Sequence, residues 1–192
     1  MPIVSFALAT ALLAGRLGIL GWLHKVSDRH PVREAVSDYG VGRTAGTFRL
    51  LGALTAAAWL ALAVGTWFGY PDWSFRLPAT LMLAGIAVLT VLTALVPTDL
   101  EGEKLTLRGG LHYLFAIASF GLSYSLTGDI SRMMFTGHPM LVALHWVALV
   151  SLILLCVCLV PRLRRWFGLF ERVFLISITL FFAVYAIASL LG

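Results

Sequence analysis

The 192-residue sequence is poor in charge, since 12% of its residues are charged and 60% are hydrophobic. Soluble globular proteins carry about 25% charged residues, so this composition excludes a water-soluble fold. Cysteine is scarce as well. Cys156 and Cys158 are the only two, and a spacing of two inside an apolar run points them to different faces of a helix. We therefore expect both to be inert packing residues.

The sequence also lacks the motifs of common soluble enzymes. It contains no P-loop, no Gly-x-Ser-x-Gly turn, no dinucleotide-binding fingerprint and no His-Glu-x-x-His helix. The first residues lack the positive charge that precedes the apolar stretch of a signal peptide, so we predict that the first apolar run is retained. The net charge of +5 is spread along connecting segments, which argues against a nucleic-acid partner.

Long apolar runs are what the sequence has in quantity. Each is close to the roughly 20 residues that cross about 30 Å of hydrocarbon as a helix. They predict an all-α fold, a polytopic transmembrane six-helix bundle that forms a single domain over residues 1–192. A break is predicted from Gly128 to Pro139. The six predicted spans are residues 3–23, 45–68, 79–97, 109–128, 139–160 and 167–191.

The basic residues between these runs predict an orientation. The second and fourth connecting segments carry only Arg76 and Arg132. The first, third and fifth carry Lys25, Arg29, Arg33, Arg43, Lys104, Arg108, Arg162, Arg164 and Arg165. The positive-inside rule makes these three segments cytoplasmic and places both termini outside. We expect a multi-pass protein of a bacterial or archaeal cytoplasmic (inner) membrane, with membrane lipids and partner membrane subunits as its partners.

Ionisable residues within apolar spans are costly, so their positions indicate candidate sites. Arg16 lies about two turns from the end of the first span, and His112 lies about one turn into the fourth. Asp99 closes the third span. We predict that Arg16 pairs with a carboxylate such as Asp38 or Asp99 and that His112 takes one of the same two as its partner.

Two further features are visible at helical spacing. Arg49 and Arg172 lie near the starts of their spans, where the favoured interpretation is snorkelling of the guanidinium to the headgroups. The fourth span repeats small and polar residues at offsets of four, seven and eleven, which form one stripe. We expect this stripe to face the bundle interior. Its members are His112, Ala116, Ser119 and Ser123.

Three short motifs occur in order, Ser37-Asp38-Tyr39-Gly40, Pro97-Thr98-Asp99 and Thr106-Leu107-Arg108-Gly109-Gly110-Leu111-His112. From about His30 to the sixth span, the sequence resembles the domain-of-unknown-function family 998 of bacterial and archaeal six-span membrane proteins. Members typically carry Ser-Asp-Leu-Gly, Pro-x-Asp and a Thr-x-His-Gly-x-x-His-like stretch. Here Tyr39 replaces the Leu and Arg108 replaces the first His, which weakens a metal-binding interpretation. The resemblance implies an architecture and a site, but no reaction.

These observations predict a polar site at the cytoplasmic side. Its candidate residues are Arg16, Ser37, Asp38, Asp99, His112 and Ser119. The first interpretation is a non-enzymatic protein, either an accessory subunit or a small-molecule or lipid-binding bundle, for which no cofactor is predicted.

Other functions remain open. One is a metal-dependent, membrane-embedded lipid hydrolase in which His24, Asp99 and His112 bind zinc and Asp38 is the general base. Another is a proton-coupled transporter with Arg16 and His112 along its path. A haem held by His24 and His112 is a further alternative.

Overall fold

A computed structural model describes residues 1–100, 104–134 and 138–191. Within these ranges the chain is all-helical and has no strand, as the sequence predicts. The six α-helices, α1 to α6, are Pro2–Val26, Ala45–Gly69, Arg76–Leu95, Leu107–Met133, Pro139–Val157 and Phe167–Leu191. Short 3₁₀ helices cover Val36–Gly40, Gly42–Thr44 and Arg164–Trp166.

Five of the helices, all but α4, are long and apolar enough to cross a membrane. Helix α4 is the longest, with 27 residues, which corresponds to a rise of about 40 Å. Its lower hydropathy follows from the Gly, Ser, Thr and His residues that it carries among its apolar ones. Length is therefore not what separates α4 from the other five.

The predicted break at Gly128 is wrong, because α4 continues to Met133. Its last turns keep a buried face, with Ile130 fully enclosed. On the other side Arg132 forms an ion pair with Asp129, three residues earlier on the same helix. Helix α5 ends at Val157, three residues before the predicted end of that span.

The helices pack as a ring in the order α1, α2, α3, α4, α5, α6, with α6 returning to α1. Contacts between α4 and α5 are much the least extensive of those between neighbours in the ring. We call this weakly closed position the α4–α5 seam. Toward the C-terminal end of α4 the seam is closed, because Thr127 is hydrogen-bonded to His145 of α5 at 2.7 Å and Tyr124 stacks on the same imidazole.

The two ends of the bundle differ. At the terminal end, where α1 begins and α6 ends, hydrogen bonds join Thr66 to Tyr185 at 2.9 Å and Tyr70 to Ser189 at 2.7 Å. Phe6 packs edge-on against Tyr185 and leaves no room for a side chain at Gly65. The opposite end carries the segments after α1, α3 and α5, and we call it the basic end.

Candidate functional site

A cavity of about 720 Å³ lies inside the ring and opens toward the basic end. Ligand sites in proteins commonly measure about 300–1,000 Å³, so this volume is sufficient for a small molecule or a lipid chain. Trp59, Phe120 and Phe174 provide apolar walls deeper in the bundle. The structure brings all six candidate residues to the lining, namely Arg16, Ser37, Asp38, Asp99, His112 and Ser119.

One wall of the cavity is the polar stripe of α4. All four of its members, His112, Ala116, Ser119 and Ser123, line the cavity. From the first to the last they span eleven positions, or about 16 Å along the helix. The Ser123 hydroxyl donates back to the Phe120 carbonyl at 3.1 Å, so this serine is satisfied within its own helix. The stripe thus carries polarity from the basic end toward the middle of the bundle.

The α4–α5 seam gives the cavity a lateral opening. Lining residues on its two edges are strongly exposed, with Ile117 of α4 at 67% and Leu159, just after α5, at 69%. Cys156 is also exposed and lines this side, whereas Cys158 is buried. On this side the cavity is therefore bordered by apolar residues that are exposed on the outer surface of the bundle.

The wall opposite the stripe is the first connecting segment, which is docked on the start of α6. The Leu169 N–H donates to the Val32 carbonyl at 3.0 Å, and the Val36 N–H donates to Glu171 Oε2 at 2.6 Å. The first of these bonds uses one of the N–H groups that a helix leaves free in its first turn. The docking brings Ser37 and Asp38 to the cavity.

Arg172 fastens this segment, and the snorkelling prediction for it is wrong. Its side chain is buried, and its Nη1 donates to the Glu34 carbonyl at 2.6 Å and to the Gly168 carbonyl at 2.9 Å. Its Nη2 donates to the Tyr39 hydroxyl at 2.9 Å. Arg49, by contrast, is exposed. A guanidinium can serve several acceptors at once, which explains why burial is tolerated here.

His24 completes this network and is thereby removed from the predicted metal set. Arg172 Nε donates to His24 Nε2 at 2.9 Å, so His24 carries its proton on Nδ1 and donates it to the Leu20 carbonyl at 2.7 Å. Both ring nitrogens are therefore engaged. Asp99 and His112 line the cavity, but His24 does not. The described residues contain no group of three His, Cys, Asp or Glu suited to a metal, and His24 Nε2 cannot bind a haem iron while it accepts from Arg172.

His112 interacts electrostatically with Asp99, one of its two predicted partners, but its hydrogen bond goes to the backbone. Its Nδ1 donates to the Val96 carbonyl at 2.7 Å, near the end of α3. Asp99 instead fastens the start of α4, because its carboxylate accepts the Thr106 N–H at 2.6 Å and the Thr106 hydroxyl at 2.9 Å. Thr106 in turn accepts from the Gly109 N–H, as a helix N-cap does. The second and third motifs thus form one unit.

Gly109 is required by this unit. A Cβ there would overlap the Asp99 carboxylate, whereas a Cβ at Gly110 meets no described atom within 4 Å. We expect Gly109→Ala to lower the free energy of unfolding by about 1–3 kcal/mol, since the carboxylate must move off its donors. Gly110→Ala should be neutral or stabilising by up to about 1 kcal/mol. Unfolding in detergent measures both, and equal stability of the two variants would contradict this account.

Arg16 is buried on the cavity wall without the predicted carboxylate partner. Its Nη1 donates to the Leu175 carbonyl at 3.3 Å, and its Nε has no hydrogen-bond acceptor among the described residues. The described residues give it no ion pair either. A buried donor without an acceptor is costly, so Arg16 is a buried ionisable group whose hydrogen bonding is incomplete.

The first connecting segment also contains an ion pair of its own, Arg29 to Glu34 at 3.1 Å. Partial burial alone would raise the pKa of Glu34, but the His30 N–H and Arg29 donate hydrogen bonds to its carboxylate, and the net effect is a lowered pKa. A carboxyl pKa that is lower in the folded protein than in the unfolded chain stabilises the folded state at pH values above the ordinary pKa. This contribution is lost as the pH falls through the lowered pKa. The folded conformation of the segment is therefore more stable at neutral pH than in acid.

Sequence reasoning missed three charged residues that line the cavity, namely Arg33, Arg164 and Glu171. Glu171 is buried although it lies in the second turn of an apolar helix. An acidic residue at such a position is a signal that could have identified it. Arg33 and Arg164 are indistinguishable in sequence from the other basic residues of their segments.

Comparison with known proteins agrees with this architecture. A family profile described as "Protein of unknown function (DUF998)" matches residues 8–188. No curated protein matches the chain, and no solved structure does. The match covers nearly the whole chain and includes all three motifs around the cavity. The chain therefore belongs to the DUF998 family of proteins of unknown function.

Proposed function

We propose that this protein is a non-enzymatic membrane protein that binds a lipid-like amphiphile in its cavity, either alone or as an accessory subunit of a membrane complex. The observation that carries the proposal is the cavity itself, with polar residues at the basic end and apolar walls beyond them. An amphiphile has the same division between headgroup and chain. The volume of about 720 Å³ suits a ligand of this size.

The α4–α5 seam supports a route for such a ligand. A lipid chain cannot pass through water without cost, so it enters a protein most cheaply from the side. The exposed residues Ile117 and Leu159 on the two edges of the seam make this entrance apolar. Contacts between α4 and α5 are few, and those of His145 with Tyr124 and Thr127 lie toward the terminal end, so a chain can enter nearer the basic end without breaking them.

The orientation belongs to the same proposal. We place all six helices, including α4, across a bacterial or archaeal inner membrane, with the basic end in the cytoplasm and both termini outside. The distribution of Lys and Arg supports this orientation. The headgroup would then lie at the level of the cytoplasmic leaflet.

Filling the cavity tests the proposal. Ser119 lines the cavity, and Ser125 is exposed on the same helix outside it. We expect Ser119→Phe to reduce severalfold the lipid that remains bound per protein after purification, because the ring occupies the space of the chain. Ser125→Phe should retain as much as the wild type. Native mass spectrometry measures the bound lipid, and equal amounts in the two variants would refute a cavity ligand.

The two alternatives have weaker support. A metal-dependent lipid hydrolase needs His24 near Asp99 and His112, but His24 is bonded to Arg172 instead. A proton-coupled transporter needs a path across the bundle, and the cavity lining extends from the basic end only to about the level of Trp59 and Ile178. Beyond that level the terminal end is packed with aromatic rings.

A further inference from the structure

We infer that the headgroup of the bound amphiphile is anionic, a phosphate or a carboxylate, and that Arg16 is the residue that binds it. The inference rests on the proposed function and adds the chemical class of the ligand. It starts from the position of Arg16, which is 9% exposed and lines the cavity about three turns from the end of α1.

Most of the N–H donors of Arg16 make no hydrogen bond to a described residue. A guanidinium has five N–H donors, and the structure gives Arg16 one bond, from Nη1 to the Leu175 carbonyl at 3.3 Å. Its buried Nε has no acceptor among the residues described. Burial of a positive charge is tolerated in proteins when an anion accompanies it. The described part of the chain contributes no carboxylate in ion-pair contact with this guanidinium.

The acidic residues of the cavity are engaged with the backbone. Glu171 accepts the Val36 N–H at 2.6 Å, and Asp38 accepts the Ala35 N–H at 3.0 Å. Asp99 accepts both donors of Thr106 at the start of α4. These acceptors are at least partly satisfied, while the donors of Arg16 are not. The site thus complements a ligand rich in acceptors, which phosphate and carboxylate groups are.

The apolar walls show that the anion is part of an amphiphile. The cavity continues from Arg16 past Phe174 and Trp59, two aromatic side chains that are nearly or fully buried. A free phosphate or acetate would leave these walls without a partner. A second arginine, Arg33, lines the same cavity and is exposed, and it adds positive potential without being enclosed.

Lipid selectivity tests the inference. Purified wild type, Arg16→Gln and Arg49→Gln are titrated by native mass spectrometry with phosphatidylglycerol and phosphatidylcholine that have identical chains. We expect the wild type and Arg49→Gln, whose substitution is exposed and outside the cavity, to prefer phosphatidylglycerol by about tenfold or more. Arg16→Gln should bind both lipids about equally, with its affinity for phosphatidylcholine unchanged. Separate titrations with oleate and with inorganic phosphate distinguish the sources of the anion.

Each outcome has a defined meaning. An undiminished preference in folded Arg16→Gln overturns the assignment of Arg16 and leaves the proposed function intact. Binding of neither lipid nor oleate by the wild type refutes the proposed function itself. Tight binding of oleate without phosphatidylglycerol supports a carboxylate amphiphile, whereas inorganic phosphate bound as tightly as lipid overturns the amphiphile. If Arg16→Gln does not fold, Arg16→Lys replaces it, and an undiminished preference there counts against the guanidinium.

Discussion

Replacing Arg172 by Met should lower the free energy of unfolding by about 3–5 kcal/mol, among the largest effects of any single substitution in the chain. Met fills a similar volume but donates no hydrogen bond. The change leaves His24 Nε2, the Tyr39 hydroxyl and the Glu34 carbonyl without the donor that they share. All of these groups lie where the first connecting segment meets α6, so we expect that segment to undock.

The matched control is Arg49→Met. Arg49 also lies within two turns of a helix start at the basic end, but it is exposed. Its replacement should change the free energy of unfolding by no more than about 0.5 kcal/mol. Thermal unfolding in detergent gives the stability, and trypsin cleavage after Arg29 and Arg33 reports undocking. If Arg172→Met has the same stability and the same rate of trypsin cleavage as Arg49→Met, the network does not hold the segment.

Gly168→Ala should have an effect of similar size, about 3 kcal/mol or more, for a steric reason. A Cβ at Gly168 would overlap the Glu34 carbonyl oxygen and come within 2.8 Å of Arg172 Nη1. The carbonyl belongs to the backbone and cannot rotate away as a side chain can. The start of α6 and the first connecting segment must therefore separate, which also breaks the bond from Leu169 to Val32.

Gly46→Ala is the control for this substitution. Gly46 is the second residue of α2, as Gly168 is the second residue of α6. A Cβ at Gly46 meets none of the described atoms within 4 Å. Its replacement should be neutral or slightly stabilising, because Ala favours the helix over Gly. Both are measured by unfolding in detergent, and comparable losses in the two variants would show that the contact at Gly168 is dispensable.

The depth of the polar residues could be predicted from sequence, whereas their partners could not. The apolar runs on either side of Arg16 and His112 place both residues near the basic half of the bundle. The sequence predicts a carboxylate partner for each, whereas the structure shows hydrogen bonds to the backbone carbonyls of Leu175 and Val96. Backbone acceptors leave no mark in a sequence, since every residue has one.

The metal alternative shows the same limit. His24, Asp99 and His112 have the residue types and the level that a zinc site needs, so the sequence left that function open. In the structure His24 does not line the cavity with the other two, because its Nε2 accepts a hydrogen bond from Arg172 of α6. Which of two histidines at one level faces the cavity depends on helix rotation and on the neighbours in the ring. Neither quantity is contained in a hydropathy pattern.

The sequence by itself determined the membrane class, the all-α fold, the number of helices and the level of each polar group. These follow from the length and spacing of apolar runs, which respond to the thickness of a bilayer. Tertiary structure alone decided that the ring is weakly closed between α4 and α5 and that a cavity lies behind this seam. It also decided that Arg172 is buried and holds the first connecting segment on α6, whereas Arg49 is exposed, although both are arginines near a helix start. The physical reason is that α1, the docked first segment and α6 together place four acceptors around the guanidinium of Arg172, which satisfies its donors without water.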